Sequence, residues 1–181
     1  MNLDFSNIKV LLIGDFMIDH YIIGYSNRIS PEAAVPVAIP EKEYSIPGGA
    51  GNVAMNLKLM GANVDCLGCA GNDIWGKKLH SILKNEGIEI GGIELIDNHP
   101  STLKQRIYSD GKQIIRLDRE KIRNWQYTSE IKKNYDIIIL SDYNKGVLNN
   151  LWFDINSLDN VIVDPKKDSF NHYRGANIIT P

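Results

Sequence analysis

The chain has 181 residues, 43% of them apolar and 23% charged, which is the composition of an ordinary soluble globular chain able to bury one sizeable core. A formal net charge of −2 with both signs interspersed argues against a general nucleic-acid or polyanion binder, which needs concentrated Lys and Arg. The N-terminus, MNLDFSNIKVLLIGDFMID, has neither a basic signal-peptide start nor a membrane-spanning length, so a cytoplasmic location without a membrane partner is expected.

Lys9 to Gly14 (KVLLIG) is an apolar run ended by glycine, the pattern of a central parallel strand buried on both faces. Val35 to Ile39 and Tyr44 to Ile46 alternate weakly and sit among Pro36, Pro40 and Pro47, which suits short edge strands of a small flap. From Gly49 the spacing becomes helical through Ala50, Val53, Ala54, Leu57 and Met60, with Gly61 as a stop signal. Val64 to Ala70 reads as a second buried strand. Cys66 and Cys69 lie in it, and residues three apart on a strand face opposite ways, so the C-x-x-C pair reads as two core cysteines.

Asp73 is placed to cap a helix running from Trp75 to Gly87. Ile88 to Ile96 reads as a strand, and Thr102 to Tyr108 with Gln113 to Leu117 forms a hairpin around the Asp110-Gly111 turn, a lid candidate. Glu120 to Asn134 is polar and expected to be helical in part. Asp136 to Leu140, Asn160 to Val163 and Asn177 to Ile179 are three further apolar strands. The alternation of strand and helix predicts an α/β fold, a doubly wound and mainly parallel sheet with a small β appendage.

The first βα turn reads Gly14-Asp15-Phe16-Met17-Ile18-Asp19 and lacks the G-x-G-x-x-G of a dinucleotide fold, which argues against a nicotinamide enzyme. Carboxylates past the carboxyl end of a parallel strand accept hydrogen bonds from sugar hydroxyls, so Asp15 and Asp19 are candidate substrate binders, with loop or cap roles as the alternative. Gly71 to Lys78 approaches a phosphate loop, but Lys78 replaces the magnesium-binding hydroxyl and Asp73 would repel phosphate, which favours a helix-capping turn. Pro47-Gly48-Gly49-Ala50-Gly51-Asn52 opens a helix where glycines let a ligand approach backbone N–H groups.

The run GGAGNVA from Gly48 to Ala54, followed by Gly61 and Gly71, resembles the N-terminal signature of the ribokinase-like, or PfkB, carbohydrate kinases. GDFMIDHY, NRISPEAAVPV, STLKQR, IRLDRE, LSDYNKG, VDPK and YRGANIITP look like the heptose-phosphate kinase branch, so the resemblance covers nearly the whole chain. It implies a ribokinase-like fold with lid strands near residues 20–47 and 101–118, a lid that mediates homodimerisation, and sugar hydroxyls held by Asp15, Gly48, Gly49 and Asn52.

A phosphorylated substrate needs cations. Lys104 and Arg106 lie two apart on one strand and share a face, which makes them the expected phosphate clamp, with Arg28 and Arg116 as additions. Asp142 and Lys145 follow a strand at the ligand-binding edge and are further substrate candidates, while Asp164 and Lys166 are either a nucleotide-side pair or a turn pair. The resemblance implies ATP and Mg2+ for a full-length parent, and a catalytic base in a G-A-G-D segment after an N-x-x-E motif. Neither motif occurs in the chain. The expectation is therefore the N-terminal part of a kinase domain, with the C-terminal part of the fold missing beyond Pro181, inactive by itself. A kinase for another sugar, or a non-catalytic sugar-phosphate-binding or dimerisation module, is the alternative.

Overall fold

In the computed structural model, residues 4–131, 134–166 and 170–180 are described; Met1 to Leu3, part of the 120–134 segment and Pro181 lie outside them. Lys9–Gly14 forms strand β1, whose Leu11, Leu12 and Ile13 are buried on both faces, as a continuous apolar run requires. Each such side chain contributes roughly 1.5–3 kcal/mol by leaving water. The elements that follow are β2 (Phe16–Tyr25), β3 (Ile39–Gly49), helix α1 (Ala50–Leu59), β4 (Asn63–Gly71), helix α2 (Ile74–Asn85) and β5 (Glu89–Ile96). After them come β6 (Leu103–Ser109), β7 (Lys112–Arg119), β8 (Ile137–Ser141), β9 (Val161–Asp164) and β10 (Ile178–Ile179).

Two sheets result. The larger is parallel, in the order β10-β9-β8-β1-β4-β5, and the smaller, which holds the strands expected to form a lid, has the order β3-β2-β6-β7. The chain builds outward from β1 to β4 and β5 on one side and later from β8 to β10 on the other. The order reverses between β1 and β8, and open α/β sheets bind ligands outside the carboxyl ends of the strands at such a reversal.

Both α-helices pack on one face of the large sheet, where Ala50, Ala54, Leu79 and Leu83 meet Val10, Leu12, Val64 and Cys66. The other face gathers Leu11, Ile13, Leu140 and Val163 under Trp125, Leu148, Ile155 and Tyr173. Cys66 belongs to the first cluster and Cys69 packs against the second, so the two thiols face opposite ways. Burial pushes both thiols up, Cys69 to about 12, which leaves them unreactive.

Three expectations are corrected. Of the two expected flap strands, Val35 to Ile39 meets β3 only at Ile39 while Tyr44 to Ile46 lies inside this one long strand, and Phe16 to Asp19, expected as part of a βα turn, opens its partner strand β2. Pro40 and Pro47 are tolerated because β3 is an edge strand. The segment from Glu120 has no helix among its described residues. Its backbone is committed elsewhere, since the N–H groups of Arg123 and Trp125 donate to the carbonyls of Lys145 and Gly146 at 3.3 and 3.4 Å.

Candidate active site

Asp15 is the single residue between β1 and β2, and it is 2% exposed. Its Oδ2 accepts the N–H groups of Tyr143 and Lys145 at 2.9 and 3.0 Å, and its Oδ1 accepts that of Val147 at 3.0 Å. Its own N–H donates to Ser141 at 3.2 Å and its carbonyl accepts from Ala50 at 3.0 Å. Burial pushes its carboxyl above the ordinary range, although the Lys145, Val147 and Tyr143 amides pull it back and Asp142 adds to the rise. This carboxylate, predicted to meet a sugar, is largely occupied in shaping the 143–147 loop.

Asp142, at the end of β8, is equally buried. It accepts the Asn144 N–H at 2.6 Å and the Tyr173 hydroxyl. Lys145 reaches Glu120 at 2.7 Å. The structure therefore brings Asp15, Asp142 and Lys145 together at the sheet reversal, as expected for a ligand edge.

The lid supplies the opposite wall. Strand register aligns Asp19 of β2 with Lys104 of β6 and Asp118 of β7, and Tyr21 with Arg106 and Arg116, so these side chains share one face. Arg106 pairs with Asp19 at 2.5 Å and lies over the Tyr21 ring at 5.4 Å, while Tyr21 stacks on Tyr44 at 4.9 Å. Burial opposes the Arg106 charge, but the Asp19 carboxylate outweighs it and raises the guanidinium pKa. Arg116 binds Asp118 through two hydrogen bonds of 2.8 and 3.0 Å. Arg28 lies in the exposed loop after β2, at the other end of the β2–β3 pair from Gly48 and Gly49.

The glycine turn closes the floor. A Cβ on Gly48 would meet Asp19 Oδ2 at 2.4 Å, and Gly49 has φ +55 with a would-be Cβ 2.5 Å from the Asp15 carbonyl. Only glycine permits that approach. Asn52 is exposed in the first turn of α1, whose N-terminus has no side-chain cap.

Tyr143 follows Asp142 and gives its backbone N–H to Asp15. Burial, then the charges of Asp164 and Asp19, push its phenol up. Asp164 is exposed at the end of β9 and accepts the Thr180 hydroxyl at 3.2 Å, with Lys166 exposed two residues on. Among the described residues no group of three His, Cys, Asp or Glu could hold a metal ion. Tyr143, Glu120 and Tyr173 were not singled out from the sequence, although all three fall inside motifs quoted above. The larger cavities, about 450 and 340 Å³, lie around Tyr127 to Ile131 and contain none of these residues.

Known proteins resemble the chain throughout its length. It is 40% identical over 98% of its residues to "Bifunctional protein HldE" of Pasteurella multocida (strain Pm70), and 40% identical over 96% to the protein of the same name from Helicobacter pylori (strain J99). It covers 40% and 41% of those relatives, so the chain spans about two fifths of the length of the curated relatives it matches. Among solved structures, Arabidopsis thaliana ribokinase complexed with ribose and ATP matches with a TM-score of 0.68 at 17% identity, covering 96% of this chain and 60% of that one. Ribokinase from Thermotoga maritima matches with a TM-score of 0.58 at 16% identity, covering 94% and 55%. Both support the ribokinase-like fold expected above. Residues 7–181 match the pfkB family of carbohydrate kinases, and the chain belongs to that family.

Proposed function

We propose that the chain is the sugar-binding portion of an ATP-dependent kinase whose parent moves the γ-phosphate to the anomeric hydroxyl of D-glycero-D-manno-heptose 7-phosphate, toward ADP-heptose and lipopolysaccharide-core synthesis. The observation that carries this reading is the identity of about 40% over nearly the whole chain to the HldE proteins, together with the heptose-kinase-like motifs at the site. Asp19, Gly48, Gly49 and Asn52 hold sugar hydroxyls, Asp15 offers at most a remaining lone pair to one, and Asp142 and Lys145 orient the sugar from the other wall. Lys104, Arg106 and Arg116 face the substrate phosphate from the lid.

Phosphoryl transfer depends on positioning and charge stabilisation plus a base for the attacking hydroxyl. ATP with Mg2+ supplies the phosphoryl group, and Asp164 and Lys166 lie on that side. The 181-residue chain alone binds sugar phosphate without turning it over. A homodimer through the lid is part of the proposal, supported by β7, which is exposed along its length with Ile114, Ile115 and Leu117 each 44–48% exposed.

Calorimetric titration of the chain with the heptose 7-phosphate and with ribose tests the reading. Preferential binding of the heptose phosphate is expected, weakened roughly tenfold or more by Asp19→Asn, with no ATP consumption. Preference for ribose overturns the heptose assignment, and efficient phosphorylation by the chain alone overturns its inactivity.

A further inference from the structure

A small cleft opens beside Asp15 at the carboxyl ends of β1 and β4, about 20 Å³ in volume, with Cys69, His99, Thr102, Lys121 and Lys145 in its wall. That space takes roughly one water-sized group, so a ligand places one oxygen inside and the rest at the mouth. The mouth carries both signs. Lys121 and Lys145 line it with Asp15 behind them; at the Cys69 thiol burial and then the charges of Asp15 and Glu94 outweigh that of Arg123, whereas Arg123 and Lys121 both act on the His99 ring. His99 is held below the usual histidine range, first by burial and then by Arg123 and Lys121, with the Asp73 carboxylate pulling the other way.

The backbone that carries Lys121 and Arg123 is held in place, while both side chains are exposed. The backbone bonds from Arg123 and Trp125 to Lys145 and Gly146 pin their segment against the 143–147 loop. Gly146 has φ +125, and a Cβ there would meet the Arg123 carbonyl oxygen at 1.9 Å, so the close approach requires glycine. The nearby acids are committed. Asp15 accepts three backbone N–H groups, Glu120 pairs with Lys145, and Asp73 accepts from Ser101 and from the amides of Trp75 and Gly76. Among the described residues, Lys121 and Arg123 form no salt bridge. Arg106 and Arg116 each pair with an aspartate, as Lys145 does with Glu120.

Resting on the sugar-phosphate kinase reading above, we propose that His99, Lys121, Arg123 and Lys145 form an anion subsite that takes a phosphoryl oxygen of the ligand into the Asp15 cleft. Lys121 and Arg123, a Lys145 shared with Glu120 and an imidazole beside a cleft in which His99 and Lys145 are half-buried favour such a group, against the buried Asp15 charge behind them.

Inorganic phosphate titrated into the chain and followed through the His99 imidazole resonance tests this. A saturable shift is expected, with the His99 titration midpoint moving up because a bound anion favours the protonated ring. Lys121→Gln with Arg123→Gln should weaken phosphate roughly tenfold or more, whereas Lys84→Gln, at an exposed lysine in the last turn of α2, leaves it unchanged. A His99 resonance unmoved by phosphate overturns the proposal whatever the double variant does, and so does equal affinity in wild type and a folded double variant. Parallel titrations with the heptose 7-phosphate and with ADP separate the sources. A His99 response to phosphate or ADP without any heptose phosphate binding keeps the subsite and removes the heptose reading, while heptose phosphate binding with a silent His99 does the reverse.

Discussion

Two glycine-rich turns lead from strands into helices, one at Gly48 to Asn52 and one at Gly71 to Lys77, and they end in opposite ways. At the second, Asp73 accepts the N–H groups of Trp75 and Gly76 at 3.0 and 2.9 Å and bonds Ser101 twice, so the helix end is filled by the chain's own carboxylate. At the first, no side chain caps α1, there is no acid in its first turn, and the glycines instead bring the backbone against Asp19 and Asp15. A positive helix end that is internally capped is structural, and one left uncapped beside carboxylates and a sheet reversal is where polar ligands gain most. The same residue type serves closure in one turn and access in the other.

The largest expected effect comes from the residue that braces the uncapped turn. Asp15→Ala leaves three backbone N–H groups in a buried setting without an acceptor, and a loss of about 3 kcal/mol or more is expected in urea unfolding. A loss near zero would mean that the 143–147 loop is not supported from β1. Asp73→Ala should cost about 1–2 kcal/mol by removing a helix cap, seen as a lower unfolding midpoint. An effect on sugar-phosphate binding as large as that of Asp19→Asn would erase the distinction between the turns.

The smallest effect is one of sign. Asp73 sits below the ordinary carboxylate value of 3.8, because hydrogen bonds from Ser101, Gly76 and Trp75 outweigh its burial. Its stabilisation is therefore present above the unfolded value and lost as pH falls through the lowered folded one. Asp15 is shifted upward, chiefly by burial. Between its unfolded and raised folded values the native state binds the extra proton, so that term favours folding as pH falls. Acid unfolding of Asp73→Asn should accordingly be less steep than wild type and that of Asp15→Asn steeper. The reverse order would refute the assignment of the two carboxylates.

Much of the large sheet is legible in the sequence because its strands are buried on both faces and carry uninterrupted apolar runs, as in KVLLIG and DIIIL. The lid is only half legible. The Asp110-Gly111 hairpin announces itself through a turn that needs positive φ, found at +51 and +76. β2 and β3 were harder to see, because β2 mixes site residues with apolar ones and three prolines cut the β3 region into fragments that an edge strand tolerates. The partners of the candidate residues were not legible at all. Asp15 meets backbone amides about 130 positions away, which no side-chain pattern records, and Arg106 meets an aspartate 87 positions upstream.

One joint ties the two sheets together. β1 passes into β2 through Asp15 alone, and β3 passes into α1 with no residue between Gly49 and Ala50. The small sheet is thus tied to the large one through a single residue at one root and none at the other, with longer connections before β6 and after β7. Any displacement of it would load Asp15, and through its three hydrogen bonds the 143–147 loop on the far wall.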